Sequence, residues 1–411
     1  MRAGKFLTLL AFSVALCGCL KPVRSEDDPN HITVWEQEDS TVAPYIDATL
    51  EAFRKLPGNE RVTVSRVHYS NEDLRQQYQT AAIAGTGPDL IMCPSDFGGV
   101  FAVAGFILPV DGLFDLSIYN KAVMESVLLE GKHWGIPTSN GNHLMFMYNR
   151  KFVKNVPQNT DELFKYCDTE AKKYGLQNCL AFDGGEPFWF TPWLGGFGGW
   201  PLDKRTPTLD TKPMREAVDF YLDLRYGKKV IPQECDYNCM DALFKEEKVA
   251  FIINGDWSVF SYAGSLKDNY AVARIPMVSK TGLWPSPMVS GKFFMINARL
   301  QKDERKLKLA RELIKFYTNR ENQVRQVKEL KRLPSLTEAN TDQSVVGDPL
   351  LKASMEQILV GKPMPMATEM RPTWDSMRQY LGKIMTRKVT AEEGITKMQQ
   401  DVSTKIGEMN R

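Results

Sequence analysis

Between Glu186 and Trp200 the chain reads Glu-Pro-Phe-Trp-Phe-Thr-Pro-Trp-Leu-Gly-Gly-Phe-Gly-Gly-Trp, with Phe188, Trp189, Phe190, Trp193, Phe197 and Trp200 set among glycines and prolines. A flat aromatic face matches the C–H face of a sugar ring and loses little conformational freedom on contact. At helical spacing Phe188 does not share a face with Phe190, so the rings cannot all enter one core. The glycines let backbone approach a bound molecule closely and weaken a purely structural helix. The stretch therefore predicts an aromatic platform for a carbohydrate at the mouth of a cleft, in preference to a core helix. Carboxylates would supply the other half of that chemistry, because they accept hydrogen bonds from hydroxyls more strongly than neutral groups do. A bidentate arginine would fix orientation.

The elements that must hold such a site alternate between strand and helix. His31-Ile-Thr-Val-Trp35 reads as a strand. From Ser40 or Thr41 a helix follows, with Val42, Ile46, Leu50 and Phe53 on one face, and Pro57-Gly58 ends it. Residues 61–69 form a second strand, Asn71 caps a helix running to Ala84, and Asp89-Leu-Ile-Met-Cys93 is a buried parallel strand. This alternation predicts a doubly wound α/β lobe that binds beyond the C-terminal strand ends, at 36–39 and 94–97. A later apolar strand, Val249–Ile253, runs into Asn-Gly-Asp-Trp257 and puts Trp257 at a strand's C-terminal end. Core packing remains the competing reading for Trp257, and for Trp374 beside the Met377, Leu381 and Ile384 face. Asp256 is expected to cap a helix. Asp96, ahead of a short helical turn, can cap, contact a ligand, or both. Trp35 is expected in a core or pocket wall. Crossovers between two lobes are placed near 138–141 and 286–291, and helices dominate after Lys302, the last opened by the capping box Thr390-Ala-Glu-Glu393.

At 411 residues there is chain enough for two domains. Lys and Arg number 52 against 50 Asp and Glu, which argues against a nucleic-acid face or a polybasic membrane patch. Arg2 and Lys5 precede an apolar run, Phe6–Leu16, too short to span a bilayer. It ends in Leu16-Cys17-Gly18-Cys19, which looks like a lipobox. Residues 1–19 are accordingly expected to be a lipoprotein signal ending at a lipidated Cys19, and 20–30 a tether; an ordinary cleaved secretory signal is the alternative. The protein is then exported, periplasmic or at the cell surface, and meets the membrane through its lipid alone. In an oxidising compartment Cys167 with Cys179 and Cys235 with Cys239 are expected as disulfides, leaving Cys93 a buried thiol. No histidine stands at ligand spacing from a cysteine pair, so neither metal nor cofactor is expected. The chain lacks a Gly-x-Ser-x-Gly elbow, a phosphate-binding glycine loop and a His-Glu-x-x-His motif. Asp183, Glu186 and Asp256 keep glycoside hydrolysis open as a lesser reading.

The chain resembles the family of extracellular solute-binding proteins that feed ABC sugar importers, family 1, of the maltodextrin-binding kind. The likeness runs in order through Thr33-Val-Trp35, Gly87-Pro-Asp-Leu-Ile91, Asp96 with Phe97-Gly-Gly99, Gly135-Ile-Pro137, Tyr148-Asn149, Glu186-Pro-Phe188, Ile253-Asn-Gly-Asp-Trp257, Ile296-Asn-Ala298, and Trp374 with Arg378. It implies the type II periplasmic-binding-protein fold, α/β and two-lobed, closing about a hinge. The lobes would take 30–139 plus 290–335 and 140–289 plus 336–411. It also implies a non-enzymatic monomer that hands a di- or oligosaccharide to the membrane subunits of an importer, with no nucleic-acid partner. By this resemblance Phe188, Trp257 and Trp374 stack on sugar, Asp96 accepts a hydroxyl and Arg378 makes a polar contact. Asp39 falls near an acidic contact, and Trp189 joins the site from the aromatic stretch. Cys93-Pro94 and Gly141-Asn142 depart from the maltodextrin pattern, removing one stacking face and one acceptor. A glycerol-phosphate-type ligand is the alternative within the family, and it would want a cluster of cations.

Overall fold

The computed structural model describes residues 28–409; the expected signal segment with Cys19, and most of the expected tether, lie outside them. Strand β1 (His31–Glu36) leads into helix α1 (Ala43–Arg54), which buries Tyr45, Ile46, Leu50 and Phe53 at the three- and four-residue spacing of one face. Strand β2 (Thr63–His68), helix α2 (Asn71–Ile83), strand β3 (Leu90–Pro94) and helix α3 (Ser95–Val103) follow. β1 pairs in parallel with both β2 and β3, and β3 is buried along its whole length. α2 is capped by Ser70 and not, as expected, by Asn71. Ser70 has the extended backbone a cap requires, and its hydroxyl accepts from the Asp73 N–H, whereas Asn71 is already helical.

The sheet continues through Met288–Ile296, which runs antiparallel to β3 and pairs on its other side with Ile136–Gly141. A second sheet takes Tyr270–Ala273, Leu144–Asn149, Phe251–Gly255 and Leu180–Ala181 in that order. Each sheet has its own core. One gathers Ile32, Val34, Phe53, Phe101 and Phe293 with the helix Glu304–Tyr317, and the other gathers Phe146, Trp193, Tyr221, Phe251, Trp374 and Met398. Met366 packs into the first core although the helix after it packs into the second, and a Cβ at Gly99 of α3 would collide with its carbonyl.

The strands Ile136–Gly141 and Met288–Ile296, which pair with each other, carry the chain between the two cores. The first strand ends at Gly141 (φ +137) and Asn142 (φ +43). A Cβ at Gly141 would strike the Asp256 carboxylate, which accepts the Asn142 N–H at 3.1 Å. Asp256 therefore does not cap the short turn Asp256–Ser258 that it begins. The left-handed bend at Asn142 offers it a backbone donor from the other strand instead. Beside this junction Glu38 and Arg332 make a buried ion pair at 2.7 Å, and Gln323 and Gln326 both donate to the Thr138 carbonyl.

The aromatic stretch departs from expectation. Pro187–Gly196 is a helix with Pro187 in its first turn and Pro192 in its interior, and Phe190, Trp193 and the following Phe197 are buried in the second core. Its glycines meet chain and not ligand: Cβ atoms at Gly195 and Gly196 would press on Ser286 and Val278. Cys167–Cys179 and Cys235–Cys239 are both disulfides, and Cys93 is a buried free thiol. No helix among the described residues is long and apolar enough to cross a membrane.

Candidate functional site

Between the two cores lies a cleft of about 690 Å3. Asp39, Asp96, Phe188, Trp189, Trp257, Trp374 and Arg378 all line it. On one side the C-terminal end of β1 runs on into Gln37, Glu38 and Asp39, and the β3–α3 junction presents Pro94 and Asp96. These are the strand ends at which open α/β sheets bind ligands. On the other side stand the rings.

Successive helical residues turn by about 100°, so Phe188 at the start of the aromatic helix faces the cleft while Phe190 enters the core. Phe188 has its ring centroid 6.1 Å from Trp257 and 6.3 Å from Trp374, tilted by 41° and 59°. Trp189 lies edge-on to Phe188 and donates its Nε1–H to the Ile253 carbonyl at 2.8 Å, which makes it a wall held by the second sheet. Trp257 follows the strand Phe251–Gly255 and stays half-buried, its Nε1–H donating to Tyr237 Oη at 3.2 Å. Tyr237 in turn donates to Asp39 Oδ2 at 3.4 Å, so a ring from one lobe is tied to a carboxylate of the other. Trp374 lines the cleft with a small part of its ring only, being 6% exposed.

Arg378 is bound by its own lobe. Its guanidinium grips Glu186 through two bonds of 3.0 Å, with Asp375 at 3.5 Å. That fork fixes its plane and leaves less of it for a ligand. Burial pushes the Asp96 carboxyl up to about 6, and burial with the neighbouring Glu38 raises Asp39. Burial would raise Glu38 too, but Arg332 and then Lys292 overcome it and hold that carboxyl below its usual range. Two acceptors of adjustable charge thus face a wall of rings.

Trp35 packs against Tyr69 in the first core, Trp134 donates to the Leu129 carbonyl, and Trp284 lies under the Arg274 guanidinium at 4.0 Å; none of the three lines the cleft. Sequence reasoning passed over Lys292, Tyr237, Glu72 and Arg371, all of which line it. Lys292 had a signal, a lone charge in the apolar run Gly-Lys-Phe-Phe-Met-Ile296. Glu72 and Arg371 had none, being ordinary polar residues on two helices that meet across the cleft in a 2.9 Å ion pair. No group of three or more His, Cys, Asp or Glu side chains among the described residues could hold a metal.

Residues 48–353 match the family described as bacterial extracellular solute-binding protein. The chain belongs to that family. The fold is shared with a solved structure, the maltose/maltodextrin-binding domain MalE from Bdellovibrio bacteriovorus bound to maltotriose. The two superpose with a TM-score of 0.85 at 34% identity over 92% of this chain and 99% of that one. The galactooligosaccharide-binding protein of Bacillus subtilis is 25% identical over 419 residues, covering 96% of this chain and 94% of its own. The maltooligosaccharide ABC transporter solute-binding lipoprotein of Streptococcus pneumoniae serotype 4 is 23% identical over 79% of each chain.

Proposed function

We propose that this solute-binding protein captures a di- or oligosaccharide between its lobes and delivers it to the membrane subunits of an ABC importer. The observation that carries the reading is the cleft itself, where Phe188, Trp257 and the edge of Trp374 face Asp39 and Asp96 from the opposite lobe. Rings give a sugar its apolar contacts and carboxylates take its hydroxyl protons. Relatives named for maltotriose, galactooligosaccharide and maltooligosaccharide support the ligand class, and the last of these names an ABC transporter and a lipoprotein. The lobes are taken as 30–139 plus 290–335 and 140–289 plus 336–411, and the exported chain as a monomer held to its membrane by lipid on Cys19. Ligand contacts both lobes, so closure follows from the additional contacts the closed form makes.

The protein acts as a receptor and not as a hydrolase: Asp256 is engaged by the Asn142 N–H, and Glu186 by Arg378. A phosphorylated ligand gains some support from three cations in the cleft, Lys292, Arg371 and Arg378. Two of them already hold carboxylates, which favours the sugar. Thermal unfolding with maltose, maltotriose, galactotriose and glycerol 3-phosphate separates these readings, since binding to the native state raises the melting temperature. A shift with a neutral sugar, recovery of that sugar intact, and stimulation of a membrane ATPase are expected. A shift with glycerol 3-phosphate alone would overturn the ligand class, and shortened sugar products would overturn the receptor role.

A further inference from the structure

Lys292 is 9% exposed, yet it lines the cleft. It stands in the strand Met288–Ile296 in register with Pro94, two residues before Asp96. Its Nζ lies 6.0 Å from the centre of the Trp257 ring. No hydrogen bond or ion pair to a described residue engages that ammonium, whereas both cleft arginines hold carboxylates. Two polar atoms in this corner are buried without a partner, Glu38 Oε1 and Gln37 Nε2, and both residues line the cleft. A buried carboxylate oxygen and a buried amide nitrogen without hydrogen bonds are costly, and native proteins rarely keep them without a use; the Lys292 ammonium stands next to them with its donors open to the cleft.

Resting on the carbohydrate reading, we infer that Lys292 is a specificity determinant, which together with Asp96 and Asp39 receives the hydroxyls of a neutral terminal sugar ring, while the two carboxylates disfavour an acidic one. An ammonium offers three donors and no acceptor, and an ionised carboxylate only acceptors. A hydroxyl placed between them accepts from Lys292 and donates to Asp96 or Asp39, and each of its bonds strengthens the other. The carboxylates select in the same direction. Glu38 is balanced by Arg332, which leaves Asp39 and Asp96 against the single charge of Lys292. A neutral ring leaves that balance as it stands. A uronate would satisfy the lysine but add a third negative charge beside two carboxylates in a partly desolvated corner. The indole of Trp257 covers the lysine from the other lobe, so closing over a ligand shields this socket from water.

The test is calorimetric titration of wild type, Lys292→Met and Lys292→Gln with maltotriose, galactotriose and trigalacturonate. Circular dichroism and the ligand-free melting temperature check that each variant is folded. The expected result is a wild type that binds a neutral trisaccharide and prefers it to trigalacturonate. Both variants should bind that neutral sugar at least tenfold more weakly. Should either folded variant bind it within threefold of wild type, or wild type prefer trigalacturonate, the inference falls and the carbohydrate reading stands. Should wild type bind none of the three sugars, the carbohydrate reading falls and takes this inference with it.

Discussion

Replacing Trp257 by alanine tests the site most directly, because this ring is half-buried and lines the cleft. A tryptophan can bury about 150–250 Å2, and a stacked sugar would cover roughly a third of it. At about 25 cal/mol per Å2 that contact is worth about 1–2 kcal/mol. The quadrupole of the ring adds about 1 kcal/mol. The sum, about 2–3 kcal/mol, corresponds to a loss of roughly 30- to 150-fold in Kd. Trp257→Ala also removes the bond to Tyr237 Oη, but Tyr237 keeps its bond to Asp39, so the ordering of that side is mostly retained. Trp257→Phe separates the two effects, since it preserves an aromatic face and loses the N–H. Calorimetric titration with the best-binding neutral trisaccharide should show a large loss for the alanine variant and most of the affinity restored by phenylalanine. A folded Trp257→Ala protein that binds within threefold of wild type would refute the stacking argument.

Trp374→Ala should behave differently. With 6% of the residue exposed, its removal leaves a core cavity costing about 3–5 kcal/mol, so the melting temperature falls along with affinity; an unchanged denaturation midpoint would show that the ring is not packed as described. The Glu72–Arg371 pair bridges the lobes but is partly exposed, so it is worth no more than about 1 kcal/mol. Glu72→Gln should enlarge the ligand-free molecule in small-angle scattering and weaken sugar binding about two- to fivefold; identical scattering and affinity would remove its role in closure. Asp96 is raised to about 6 by burial, so the native state holds its proton more tightly than the unfolded chain does between about pH 4 and 6. Its contribution therefore becomes less favourable as pH rises through that window. Asp96→Asn should be near wild type in stability at pH 4 and gain on it by up to roughly 3 kcal/mol by pH 7.5. A pH-independent difference in denaturant midpoints would contradict this.

Much of this protein is legible as local chemistry. The β1–α1–β2–α2–β3 alternation follows from apolar spacing and from Pro57-Gly58 and Gly85-Thr-Gly-Pro88 acting as stops, because period and chain breakers are properties of short stretches. Trp257 at a strand end and the two disulfide pairs were readable for the same reason. The aromatic stretch was not. Its glycines allow either a ligand or another chain segment to come close, and only the placement of Ser286 and Val278 decided for the segment. Asp256 bonds to the Asn142 N–H, 114 residues earlier, and Glu72 meets Arg371 from helices 299 residues apart in sequence. Contacts of this kind depend on how distant segments come to rest against one another, and no local pattern encodes that. Sequence therefore determined which rings and carboxylates were available for a site, whereas tertiary structure decided which of them reach the cleft and which stay in the core.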